Sequence, residues 1–314
     1  MGDRVSPVVC RRDGERLIVG HVALGNAPAG ALQRRGGEGE RTWTGTGLGP
    51  GEPVHGGNDA GFVCAALDGG GHVLVRLLLD RAGSVEAARL ALAEAEMRPR
   101  VRVSLLLADA GGAEEVSVDS AGIAEVRALQ PELPAAEEAS VAALAATLRA
   151  HEPRPVEGRA PVAGLVAVLS PGEPARLYIA LGPPSCSVFV RHWAGLELVP
   201  DESAGPEGSP LAKLAAAVAE ATEGDADLRS AARARLDRAE AEALAEGEAA
   251  ERMAARMDAD TDDRGAAVRR LVAQSHAVEL ALAALRELAV PAPPRGKAAG
   301  RPASTDVSRS GPSL

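Results

Sequence analysis

The chain has 314 residues and a mass of 31.9 kDa, enough for one large domain or two small ones. Aromatic residues make up only 2% of it (Trp43, Trp193, Tyr178, Phe62 and Phe189), which excludes a reader of single-stranded nucleic acid built on stacking platforms. Asp and Glu outnumber Lys and Arg by 44 to 34, and the net charge of -10 argues against nucleic acid and against an anionic membrane surface as partners.

In chain order, residues 5–11 and 16–24 read as a hairpin around Arg12-Asp13-Gly14-Glu15, because Asp-Gly between apolar runs is a strong turn signal. Residues 31–57 are rich in Gly, Arg and Thr and read as a long loop. Residues 62–67 and 72–79 read as a second hairpin around Asp68-Gly69-Gly70-Gly71. Ser84 is an N-cap for a helix over 85–97, with Val85, Ala88, Leu92 and Ala95 on one face. Strands follow at 101–108, 115–118 and 123–126, and a helix at 136–150. A Pro-broken linker at 153–161 leads to a third hairpin, 162–169 and 176–181 around Ser170-Pro171-Gly172. Residues 187–190 and 196–199 are weaker strand candidates.

After Pro200 the pattern becomes helical. Helices are expected at 211–222, 225–257 and 266–288, with an acidic turn at 258–265. In the last helix Val268, Leu271, Val278, Leu282, Leu285 and Ala289 fall on one stripe. In the one before, the larger apolar residues are Leu228, Leu236, Leu244, Met253 and Met257. Ala-rich seams favour an antiparallel pair, which either packs on the preceding domain or mediates dimerisation. Residues 291–314 have the Pro, Gly, Ser and Arg content of a disordered tail.

Most of the chemical motifs resolve into ordinary structure. Gly45-Thr46-Gly47-Leu48-Gly49-Pro50-Gly51 lacks the helix that a phosphate loop must open. Asp258, Asp260, Asp262 and Asp263 lack the Gly and Glu spacing of a calcium loop and suit the start of a helix. The six histidines show no paired metal spacing, and Cys10, Cys64 and Cys186 form no CxxC pair, so no metal and no disulfide framework is expected. The N-terminus has no apolar signal core, no run is long enough to span a bilayer, and the expected setting is cytoplasmic. Glu248–Arg252 is an i,i+4 pair of a solvated helix face.

One stretch is more specific: His55-Gly56-Gly57-Asn58-Asp59-Ala60-Gly61-Phe62-Val63-Cys64-Ala65. It resembles the Gly-x-Asn-Glu-x-Gly-Leu segment of the N-terminal-nucleophile (Ntn) amidohydrolases related to isopenicillin N acyltransferase and choloylglycine hydrolase. The flanking order fits as well. Cys10 follows a short apolar strand, and Gly20-His21 ends the next one. Leu105-Leu106-Leu107-Ala108-Asp109-Ala110-Gly111-Gly112 is similar to a family hairpin, and Leu177-Tyr178-Ile179-Ala180-Leu181-Gly182-Pro183-Pro184 to a strand ending in Gly-x-Pro-Cys, with Cys186 one residue beyond Ser185.

The resemblance implies an α+β fold, an Ntn-type αββα sandwich of two antiparallel sheets over residues 1–200. A helical hairpin over 201–290 and the tail over 291–314 complete the chain. It implies Cys10 as a nucleophile after removal of residues 1–9, its own α-amine acting as base. Asn58 would hold the oxyanion through its amide nitrogen, and His21 would lie near the substrate carboxylate. No cofactor is implied, and the substrate would be a small-molecule amide cleaved at a linear C–N bond. The chain departs from the family at Arg11, at Val22 and Leu24, which replace polar residues that orient the amine, and at Ala128-Leu129-Gln130-Pro131, where a His-Thr-Asn element is expected. Two functions therefore stand side by side: a divergent amidohydrolase or acyltransferase, and a catalytically inactive Ntn-fold protein that associates through its helical hairpin.

Overall fold

The computed structural model describes residues 8–34, 36–48, 52–68, 70–96, 98–131, 140–153, 158–194, 209–259 and 263–289. The chain opens as a hairpin of β1 (Val8–Asp13) and β2 (Arg16–Gly25), with Asp13 paired to Arg16 at the turn. The two-residue loop is therefore Gly14-Glu15 rather than Asp13-Gly14. Gly14 takes φ 57, as a glycine at the first central position of a type II′ turn does. β2 pairs next with β10 (Ala160–Leu169), then come β11 (Arg176–Leu181) and β12 (Val190–Trp193), giving an antiparallel sheet of order β1-β2-β10-β11-β12.

The second sheet is a seven-stranded antiparallel meander in chain order. It holds β3 (Gly30–Arg34), β4 (Trp43–Gly47), β5 (Pro53–Asn58) and β6 (Val63–Ala66), then β7 (Val103–Asp109), β8 (Gly112–Asp119) and β9 (Gly122–Leu129). Two sequence expectations are corrected here. Residues 31–57 are not a long loop but carry three strands, whose glycines break up the apolar alternation that marks a strand. Residues 72–79 are not a strand but most of α1 (His72–Arg81). Its buried Leu74, Val75, Leu78 and Leu79 recur at helical spacing, a period masked by Val73 and Leu77, which are apolar but off the buried face. Ser84 caps α2 (Val85–Glu94) as its position predicts, its hydroxyl accepting from Ala87 N at 3.1 Å.

Alternation along β2 sets the layers. Leu17, Val19, His21 and Ala23 face the second sheet, while Ile18 and Val22 face α3 (Val141–Ala150) through Leu144 and Leu148. On the second sheet, Val63 and Ala65 point inward, and Cys64, Leu105 and Leu107 pack under α1 and α2. The result is an α+β sandwich of two antiparallel sheets between helical layers.

Beyond the sandwich lie α4 (Pro210–Ala221), α5 (Ala226–Ala259) and α6 (Asp263–Ala289). Arg235 pairs with Glu287 and, at the other end, Arg270 pairs with Glu251, so α5 and α6 run antiparallel. The two helices extend into the expected acidic turn from both sides. Ala239, Ala243, Ala250 and Ala254 of α5 and Ala277, Ala281 and Ala284 of α6 are buried, so small side chains form much of the seam. The stripe on α6 is shorter than its periodicity suggests: Val278, Leu282 and Leu285 are buried, but Val268 is 52% exposed.

The hairpin packs on β12, which would otherwise be an open sheet edge. Glu251 of α5 binds Arg191 at 2.8 Å, and Gln274 of α6 meets His192 Nδ1 at 3.1 Å. α4, α5 and α6 share one core cluster with the strands. The strand candidate at 196–199 and the tail at 291–314 lie outside the described residues.

Candidate functional site

Cys10 lies in the middle of β1, paired with Val19, and its side chain faces the inner layer between the sheets. Its neighbours Val8 and Val9 continue the strand, paired with His21 and Gly20. A cavity of about 300 Å³ opens beside Cys10 between β1 and the end of β9, with Arg127, Leu129 and Gln130 on its far wall. Residues 128–130 thus stand opposite Cys10 and offer the Gln130 amide, while the neighbouring Arg127 is paired with Glu115. Cys64 and Cys186 are also buried thiols, and burial pushes both up from the usual thiol range.

Asn58 ends β5 with its side chain on the opposite side of the second sheet, towards α1. Its Nδ2 donates to Leu79 O at 3.1 Å and to Ala82 O at 2.7 Å, covering carbonyls at the end of α1. Its Oδ1 accepts from Ala60 N at 3.1 Å and Phe62 N at 3.2 Å, closing the turn into β6. Both amide hydrogens are engaged and the residue is fully buried. Asn58→Ala is expected to cost about 2–4 kcal/mol in urea denaturation, at roughly 1 kcal/mol for each of these bonds. An unchanged midpoint would remove this structural role.

His21 shares the inner face with Cys10 as a diagonal neighbour, a relation that places Cα atoms about 7–8 Å apart. Its ring turns to the second sheet, where Nδ1 meets Nδ1 of His55 at 3.0 Å with the rings nearly perpendicular. Burial keeps both rings neutral, and as one must donate and the other accept, they are of opposite tautomers. Burial pushes His21 down to about 3, and burial together with His21 holds His55 well below the usual histidine range. A neutral, fully buried His21 has no positive charge to offer a substrate carboxylate. The Nε2 atoms of both rings and the hydroxyl of Thr46 are buried without a hydrogen-bond partner among the described residues.

The structure therefore brings Cys10 and His21 to one face and leaves Asn58 on another. The inter-sheet pair His21–His55 escapes any reading of local spacing, since its members lie on strands of different sheets. One signal was available: the period-two run Leu17, Val19, His21, Ala23 already puts His21 on an apolar face. Among the described residues, no three His, Cys, Asp or Glu side chains converge to hold a metal ion, and no helix is long and apolar enough to cross a membrane.

These features define a four-layer α+β sandwich whose open edge is covered by a helical hairpin. No protein-family model matches the chain, and no curated protein matches it. Among solved structures the chain is similar to penicillin V acylase from Agrobacterium tumefaciens, at 12% identity and a TM-score of 0.35, over 65% of this chain and 99% of that one.

Proposed function

We propose that this protein is a non-catalytic member of the Ntn type, a sandwich retained as a scaffold and associating with a second copy through its C-terminal hairpin. The observation that carries the reading is the engagement of both Asn58 amide hydrogens with α1, which leaves that amide no donor for an oxyanion. The neutral His21–His55 pair supports it further. Association is supported by Met253, Val268 and Val272, large apolar residues left exposed on the hairpin. The competing reading, attack of Cys10 on a linear amide C–N bond, draws on the cavity that opens beside that residue.

Mass measured on the purified full chain, intact and in solution, separates the two. The scaffold reading expects the Val9–Cys10 bond to survive incubation at neutral pH, and a dimer that Val268→Glu converts to a monomer. Conversion to a chain beginning at Cys10 would overturn it in favour of the hydrolase, and a wild-type monomer would remove the association.

A further inference from the structure

The outer face of β11 and β12 carries a small checkerboard of cations and rings. Tyr178 sits directly across from Arg191, and Arg176 directly across from Trp193. The Arg191 guanidinium lies 4.6 Å from the centroid of Trp193 and 5.8 Å from that of Tyr178, both distances at which a cation and an aromatic face attract. α5 crosses above this patch at Gly247, where a Cβ would come within 3.2 Å of Arg191 Cδ, so the glycine lets the arginine lie under the helix.

Two cavities, of about 410 and 490 Å³, open on either side of Arg191. Arg176, Arg191 and Glu251 line both. Tyr178, Arg16 and Arg252 add to the first, with Asp13 and Glu248 as its other acids. Trp193 and Arg270 add to the second, with Glu173 as its other acid. Arginines therefore exceed carboxylates in each, in a protein whose net charge is -10.

Arg191 is buried, and its ion pair from Nη2 to Glu251 Oε2 at 2.8 Å uses a single corner of the fork. Its Nε–H is buried with no hydrogen-bond partner among the described residues. A buried guanidinium normally has its donors filled, because an orphaned charged donor is costly. Glu251 is itself shared with Trp193 Nε1 at 2.7 Å and with Arg270 at 3.1 Å, so it does not neutralise Arg191 alone.

We propose that this cleft binds a small-molecule carboxylate, anchored on Arg191 with Arg176 as second cation and with its apolar body against Tyr178. Arginine's planar fork suits a carboxylate, and a cavity of some hundreds of Å³ suits a small organic molecule. The site lies on the helix side of the first sheet, away from the inner face that holds Cys10, and stands whether or not Cys10 is reactive.

The test is 19F NMR of 4-fluorobenzoate titrated with the full-length protein, with 4-fluorobenzamide as the uncharged isostere and inorganic phosphate as competitor. Saturable broadening of the benzoate alone is expected, weakened about tenfold or more by Arg191→Gln and by Arg176→Gln. Arg176→Gln touches a residue at the rim and keeps the test valid if Arg191→Gln impairs folding. Equal response to the benzamide, or benzoate binding unchanged in a folded Arg176→Gln protein, would overturn the proposal. Displacement by phosphate at equal concentration would overturn the carboxylate assignment in favour of a general anion site.

Discussion

Lowering the pH from 6.5 towards 4.5 is expected to destabilise the protein by several kcal/mol, a large share of the 5–15 kcal/mol typical of a domain. Three fully buried histidines drive it. Burial pushes His21 down to about 3 and His192 to about 4, and His55 also lies well below its ordinary value of 6.5. Between those values and 6.5 the unfolded chain binds protons that the folded chain does not, so stability falls as the pH falls. Each such group contributes about 1.4 kcal/mol per pH unit, and three give about 4 kcal/mol per unit. Glu152, which burial pushes up, acts in the opposite sense below its raised value and offsets at most one proton. Glu251 is held down by its hydrogen bonds and ion pairs, and adds to the loss only near and below 4.5.

The measurement is urea denaturation at half-unit steps of pH. A slope of two to three protons between pH 6.5 and 5 is expected, falling by up to two in His21→Leu/His55→Leu. A flat profile across that window would contradict the buried neutral histidines.

Glu240→Ala is expected to cost about 3–5 kcal/mol, the usual range for removing one partner of a buried pair. Glu240 is only 4% exposed, and its Oε2 holds both the Arg149 guanidinium and the backbone N–H of Phe189, the latter at 2.8 Å. Arg149 in turn lies 5.2 Å over the Phe189 ring and donates from Nε to Pro184 O at 3.2 Å. One carboxylate thus ties α3, the turn before β12 and α5 together. Asp237, 3.9 Å from Arg149 and half exposed, is the remaining acid and a weak substitute.

Glu248→Ala on the same helix is the control. Its partner Arg252 is 3.8 Å away, the two side chains are 67% and 66% exposed, and the pair is worth about 0.3–0.5 kcal/mol. Unfolding midpoints of the two variants should differ widely at unchanged urea dependence. Equal midpoints would show that Glu240 does not anchor the hairpin.

Much of the architecture could be read from the residues. The β1–β2 and β10–β11 hairpins announce themselves by apolar runs around Gly-containing turns, and α2 by Ser84 and its periodic face. The helical pair shows in its composition. What could not be read was local pattern overridden by tertiary context. β4 and β5 are strands although half their residues are Gly or Thr, because neighbouring strands supply the partners. α1 is a helix although Arg76 is the one polar residue between Val73 and Leu79.

At the candidate site the sequence named Cys10, Asn58 and His21 but not the faces they take. A strand residue and its neighbour point to opposite sides, so Asn58 and His55, three positions apart on β5, serve different layers. Cys10 was legible as a strand residue of a short hairpin, but its register against Val19 was not, because a turn on Asp13-Gly14 pairs it with Leu17 instead. The Arg191–Glu251 network was not legible, since nothing in either local segment marks the other.

The most direct test of the central claim is condensation of the full chain with 2-cyanobenzothiazole, which requires a thiol and a free amine on the same residue. The scaffold reading predicts no adduct at Cys10 in the native protein after prolonged incubation at neutral pH. A stoichiometric adduct at Cys10 would show a liberated N-terminal cysteine and would contradict it.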